Sequence, residues 1–124
     1  MQRAVRDGEG LYSPCSSDLF AFNRPLWKMP PFRVGRPRWD NWMMWKACER
    51  GVPVVDVSEV VTAAHPLHGY GENGTVTNYK MFHKGASSAR NKELISEDQK
   101  HCLKHVRQVG NLWRLLPGKG ITKA

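Results

Sequence analysis

Residues 36–45 of the 124-residue chain read RPRWDNWMMW, the most distinctive pattern in the sequence. Three tryptophans, an acid and an amide fall within residues 39–45. Pro37 suits the first turn of a helix, and Gly51 suits the left-handed position that follows the end of one. The pattern therefore predicts a helix from Pro37 to about Arg50.

The predicted helix carries apolar side chains on more than one face. One face collects residues at three- and four-residue spacing, namely Trp39, Trp42, Met43 and Ala47. A surface helix would show a single apolar stripe, so we expect this helix to be covered on most sides. The residues expected in the core are Trp39, Trp42, Met43, Val54 and Val55.

Further apolar segments predict the remaining elements of the fold. Residues 52–57 are continuously apolar up to Asp56, which is typical of a strand buried on both faces. The other strand candidates are residues 18–22, 60–64 and 109–116. A helical pattern covers residues 88–109, within which Ser96 and Gln99 are spaced to cap a second helix. These elements predict an α/β domain with a small mixed sheet, two main helices and long loops.

The composition also suggests boundaries. Residues 1–17 are polar and are interpreted as a flexible lead-in. Residues 18–116 are expected to form a single domain, because a chain of this length builds one hydrophobic core. Residues 117–124 contain two glycines and two lysines and are interpreted as a basic tail.

Positive charge is concentrated at the C-terminal end. The net charge is +8, and residues 80–124 contain ten basic and three acidic side chains. Such a region can bind nucleic acid, but it can equally be a solvated cationic face. The only aromatic residue after Phe82 is Trp113, so stacking on bases is poorly supported.

Several classes of protein are disfavoured. No apolar run is long enough to span a membrane, and the first residues lack the apolar core of a secretory signal. Three widely spaced cysteines do not suggest a zinc site and fit either reduced thiols in a cytosolic setting or one disulfide with a spare thiol. We therefore expect a cytoplasmic protein. No phosphate-binding Gly-Lys-Ser/Thr loop or Gly-x-Ser-x-Gly elbow is present.

Two groups of polar residues are candidates for a site. His65 and His68 follow the strand candidate at 60–64, close to Tyr70 and Glu72, and imidazoles with a carboxylate can hold manganese or zinc. Asp40 lies in the first turn of the predicted helix, where it is either functional or a structural acid that interacts with the helix dipole. For His101 and His105 a surface role is expected, because no acid stands between them in a metalloprotease pattern.

Several segments together resemble a known family. The segments, in order, are residues 18–22, 31–36, 39–42, 51–56 and 60–63, then His65, Arg90-Asn91 and Glu93-Leu94. They are similar to a little-characterised glycosyltransferase-like family, and the order of elements resembles the acceptor-side, C-terminal half of a GT-A-type fold. The similarity covers roughly residues 17–95. The departures are that Asp-Asn stands where better-known enzymes have consecutive acids, and that the nucleotide-binding half has no counterpart before Asp18.

The resemblance implies transfer of a sugar from a nucleotide-sugar donor to a hydroxyl acceptor. It implies Asp40 as the general base and His65 as a ligand of Mn²⁺ or Mg²⁺ on the donor diphosphate, and the spacing of His68 from His65 makes it a candidate second ligand. The implied substrate-binding residues are Arg36, Trp39, Asn41, Trp42 and Tyr70. The tryptophan rings would flank the sugar, for which core packing is the alternative. Arg36, or else Arg38, would bind a phosphate or an acceptor carboxylate.

Three functions stay open on the sequence. The first is a glycosyltransferase-like enzyme domain that is incomplete or inactive in this short chain, as a fragment, a degenerate copy or a half that a partner chain or self-association completes. The second is a non-catalytic glycan-binding module. The third is a small basic protein that binds nucleic acid through residues 80–124.

Overall fold

The computed structural model describes residue 17, residues 19–63 and residues 85–124. It confirms a small mixed α/β fold. The helices are α1 (Trp39–Glu49), α2 (Ala86–Glu93), a short 3-10 helix (Glu97–Gln99) and α3 (Leu103–Gln108). The strands are β1 (Val54–Asp56), β2 (Leu112–Leu116) and β3 (Gly120–Lys123). No helix in these residues is long and apolar enough to cross a membrane.

The central helix α1 is covered on two sides, as predicted. Trp42 and Met43 pack with Ile95 in one buried cluster, whereas the next residue, Met44, packs with Val106 and Leu112 in another. Successive residues on a helix point about 100° apart, so side chains at 43 and 44 reach different neighbours. This arrangement explains why α1 has no single apolar stripe.

Two glycines end helices that lead directly into strands. Gly51, predicted as the stop of α1, has φ 64°, and the backbone N–H groups of Gly51 and Val52 donate to the carbonyls of Cys48 and Ala47. Gly110 follows α3 and has φ 71°, and the corresponding pair of backbone hydrogen bonds starts at its N–H group. Both ends are Schellman motifs. Each therefore turns the chain from a helix into one of two neighbouring parallel strands.

The sheet is mixed and has the order β1-β2-β3. β1 and β2 are parallel, with Val54 opposite Leu112, and β2 and β3 are antiparallel, with Leu116 opposite Gly120. Residues 117–124 are therefore not a tail, because most of them form a tight turn and strand β3. The charged side chains of this segment suggested a tail, but backbone pairing in a hairpin does not require apolar side chains.

Other predicted elements are corrected. The backbone N–H groups of Val60 and Val61 both donate to the Val57 carbonyl, so the chain forms a turn here. A strand was predicted at 60–64, of which the structure describes residues 60–63. Residues 19–22 form no strand. Val55 is 36% exposed, so β1 is not buried on both faces. Its neighbour Val54 packs against the core instead.

The predicted long helix at 88–109 is divided into three parts. Its middle restarts at Ser96, whose backbone N–H donates to Gln99 Oε1 at 3.1 Å, as the capping pattern predicted. A second restart follows Cys102, where the backbone N–H donates to His105 Nδ1 at 3.2 Å. The division places the buried Ile95 against one side of α1 and the buried Val106 against the other.

Candidate functional site

The loop before α1 is held by a single side chain of α2. Asn91 is fully buried, and its Oδ1 accepts a hydrogen bond from the Arg33 backbone N–H at 2.8 Å. Its Nδ2 donates to the backbone carbonyls of Arg33 and Pro37, each at 3.0 Å. A buried amide needs such partners, because burying it without them is costly. Asn91 therefore positions the loop and the start of α1.

Arg38, immediately before α1, has an unusual backbone. Its φ is 88°, the left-handed region that non-glycine residues rarely adopt, and its carbonyl accepts the Trp42 N–H. Its guanidinium donates to Glu97 Oε1 at 2.5 Å. Hydrogen bonds from Arg38 and Lys100 lower the pKa of Glu97 from 4.5 to about 2. Arg38 is thus held in an ion pair rather than directed to a ligand.

Asp40 lies in the first turn of α1 and is half-buried. An acid at this position interacts favourably with the positive end of the helix dipole. A carboxylate next to a rigidly held loop can also accept a proton from a bound hydroxyl. Both the structural and the functional interpretations therefore stay open for Asp40.

The neighbouring Asn41 is engaged within the protein. Its Nδ2 donates to the His101 carbonyl at 2.9 Å, and its own backbone carbonyl accepts the His101 N–H at 3.1 Å. This reciprocal pair ties α1 to the segment before α3. The Nδ2 group of Asn41 is therefore already used in the fold.

The two tryptophans assigned to substrate have different environments. Trp42 is only 5% exposed and packs edge-on against Phe32, with ring centroids 5.6 Å apart. The prediction that Trp42 flanks a sugar is wrong, because its ring is enclosed by core side chains. Trp39 is half-buried, and its ring lies 5.3 Å from that of Phe20. Trp39 keeps part of its surface accessible.

A groove lined in part by two arginines lies beside the loop that precedes α1. The groove has a volume of about 460 Å³ and is lined by Pro31, Phe32, Arg33, Val34 and Arg90. Arg36 follows in the same loop, and its Nη1 donates to the Gly35 carbonyl at 3.1 Å. The sequence predicted a binding role for Arg36 and singled out neither Arg33 nor Arg90. Their only sequence signal is that both lie in segments that carry the family resemblance.

The predicted metal ligands His65 and His68, together with Tyr70, lie outside the described residues. Their relation to Asp40 therefore stays a prediction. Among residues 19–63 and 85–124, no three His, Cys, Asp or Glu side chains are grouped so that they could hold a metal ion.

A histidine pair lies on the other side of α1. The rings of His101 and His105 stack with centroids 5.3 Å apart, and His105 Nδ1 also lies 3.3 Å from Cys102 Sγ. Because His105 Nδ1 accepts the Cys102 N–H, this histidine caps α3. The sequence predicted a surface role and missed the cap, because Cys and His seldom occupy the capping-box positions.

Comparison of the chain with protein-family models, with curated proteins and with solved structures found no match. The resemblance to glycosyltransferase-like proteins therefore stays a prediction.

Proposed function

We propose that the chain is a glycosyltransferase-like domain that binds a nucleotide sugar and assists sugar transfer to a hydroxyl acceptor. The supporting observation is the set of hydrogen bonds made by Asn91. These bonds join residues 33–37 to α2, so two distant segments of the resemblance lie together at the first turn of α1. Asp40 is located in that turn.

Each residue of the proposed site has a role that its chemistry can perform. Asp40 would accept the proton of the acceptor hydroxyl, since a carboxylate is a suitable general base. Trp39 offers a partly exposed ring to the face of a sugar. Arg36 would bind a phosphate or carboxylate. A divalent cation, Mn²⁺ or Mg²⁺, held by His65 and His68 would neutralise charge on the leaving diphosphate.

The proposal is tested by calorimetric titration with UDP- and GDP-sugars, with and without Mn²⁺. We expect metal-dependent binding that is lost in His65→Ala and kept in Asp40→Asn. In Asp40→Asn, sugar transfer or donor hydrolysis should fall by about 10²–10⁴-fold, the usual contribution of a general base.

Asp98→Asn is the matched control, because Asp98 is an exposed acid in the first turn of the 3-10 helix. It should bind and react like the wild type. An absence of sugar-nucleotide binding by the wild-type chain contradicts the proposal for this chain. Equal activity losses in Asp40→Asn and Asp98→Asn contradict the role of Asp40.

Binding experiments on the same protein distinguish the alternative functions. Glycan binding without nucleotide or metal favours a non-catalytic module, and binding of RNA or DNA that weakens steeply with salt favours a nucleic-acid partner. Lys123 Nζ lies 4.5 Å from the Trp113 ring centroid, so a lysine already occupies a position over this ring. Trp113 is therefore a poor platform for a base, and nucleic-acid binding ranks below sugar-nucleotide binding.

Partner and location belong to the same proposal. A partner chain or self-association is part of the proposal, because the resemblance implies one. Cys48 and Cys102 are free thiols. Free thiols are usual in reducing compartments, which supports a cytoplasmic location.

A further inference from the structure

The groove beside the loop is open and mostly polar, and two cationic side chains line it. Pro31, Phe32 and Val34 form part of its lining, and Arg33 and Arg90 complete it. Its volume is about 460 Å³, and it is open to solvent. The groove therefore favours a small anionic ligand.

The two arginines have no carboxylate to neutralise them in the part of the chain that the structure describes. Some other cations there do: Arg38 and Lys100 pair with Glu97, and Lys46 pairs with Glu49. The described lining of the groove contains no Asp or Glu. Two like charges at one groove repel each other, and an anion bound between them would relieve this repulsion.

The backbone positions of both arginines are fixed by Asn91. Its buried amide bonds to the N–H and the carbonyl of Arg33, and Arg90 is its neighbour on α2. The loop carrying one arginine is thus attached to the helix carrying the other. Preorganisation of this kind reduces the entropy lost when a ligand binds.

We propose that Arg33 and Arg90 form a binding site for a phosphoryl group, with a diphosphate as the preferred ligand. A guanidinium presents paired N–H donors that match two phosphate oxygens, and two guanidinia match a group with several charged oxygens. The diphosphate would come from a nucleotide or from inorganic pyrophosphate. The site requires neither Asp40 nor a metal, so it can exist even if the chain transfers no sugar.

The test is calorimetric titration of the full chain with inorganic pyrophosphate, without metal, at two salt concentrations. Arg33→Gln and Arg90→Gln should each weaken binding by about tenfold, as expected when a charged hydrogen bond is lost. Arg33→Lys should lose less than Arg33→Gln, because it keeps the charge. Both arginines are exposed, so these variants should retain the wild-type circular dichroism spectrum and Tm.

Arg107→Gln is the matched control, since Arg107 is an exposed arginine on α3 outside the groove. It should bind pyrophosphate like the wild type. No binding by the wild type, or equal weakening in Arg107→Gln, overturns the proposal. Titration with UDP then separates the two sources: tighter binding than pyrophosphate identifies a nucleoside diphosphate, and equal binding identifies the diphosphate alone.

Failure of this site and failure of the proposed enzyme are distinguishable. Pyrophosphate binding that depends on Arg33 and Arg90, together with no metal-dependent binding of a sugar nucleotide, supports the anion site and contradicts the glycosyltransferase proposal. Metal-dependent sugar-nucleotide binding that is unchanged in both arginine variants supports the glycosyltransferase proposal and contradicts the anion site.

Discussion

The side-chain amide of Asn91 hydrogen-bonds to both the backbone N–H and the backbone carbonyl of Arg33, which lies 58 positions earlier in the chain. The same amide also reaches the Pro37 carbonyl. One fully buried side chain on α2 thus sets the path of the loop that leads into α1.

Replacing Asn91 with alanine should be strongly destabilising. The change removes three hydrogen bonds and leaves their backbone partners to find new ones. We expect the free energy of unfolding to fall by about 2–3 kcal/mol. Denaturant titration measures this effect, and Glu93→Ala on the same helix should change it by less than about 0.5 kcal/mol. Similar values for the two variants would contradict the role of Asn91.

Trp42→Ala should also destabilise the protein, because Trp42 is a core residue. Its ring is 5% exposed and contacts Phe32. The expected loss is about 3–5 kcal/mol, the usual cost of truncating a buried large aromatic residue. Trp39→Ala should cost clearly less, since Trp39 is half-buried. Equal losses measured by chemical denaturation would disprove this distinction.

The two helix-ending glycines should resist substitution. Gly51 and Gly110 have φ values of 64° and 71°, and no atoms lie within 4 Å of the position of an added Cβ. Alanine at either position should cost about 1 kcal/mol through backbone strain alone. Asparagine at the same two positions is the control, because it tolerates the left-handed conformation better than alanine and should lower the Tm less. Equal Tm losses for the alanine and asparagine variants would exclude backbone strain as the cause.

The backbone strain at Arg38 should be measurable by comparing its glycine and alanine substitutions. Both substitutions remove the ion pair with Glu97, but only glycine relieves the left-handed conformation at φ 88°. Arg38→Gly should therefore be more stable than Arg38→Ala by about 1 kcal/mol. The measurement is thermal unfolding of the two variants side by side, and a more stable alanine variant would contradict the strain.

The Glu97 ion pairs should make stability depend on pH in the acid range. The pKa of Glu97 is lowered from 4.5 to about 2 by hydrogen bonds from Arg38 and Lys100. A lowered carboxyl pKa contributes stability that is complete above the unfolded pKa and is lost as pH falls through the folded value. The Tm difference between wild type and Glu97→Gln should therefore shrink from pH 4.5 to pH 2. A Tm difference that is the same at pH 4.5 and at pH 2 would contradict the contribution of these ion pairs.

Local sequence patterns predicted several elements correctly. Pro37 and Gly51 bracket α1, and the spacing of Ser96 and Gln99 predicted the restart after α2. These signals succeed because the interacting groups are a few residues apart. Backbone dihedral preferences and capping bonds can then act before any distant segment is in place.

The errors have an equally physical origin. Strand β3 was missed because its backbone pairs with β2, whereas its side chains suggest a tail. The apolar residues Val60 and Val61 lie in and after a turn that is closed on the Val57 carbonyl. Composition alone does not reveal which backbone groups find partners elsewhere in the fold.

The amino-acid order alone was enough to establish the central helix, its glycine stop, the neighbouring strand β1 and an acid at the helix start. The fold alone established that Trp42 is enclosed, that residues 120–123 complete the sheet and that Arg33 and Arg90 share a groove. Local structure follows from interactions between near neighbours in the chain. The groove depends on a contact between residues 33 and 91, which forms only when packing of the whole core brings them together.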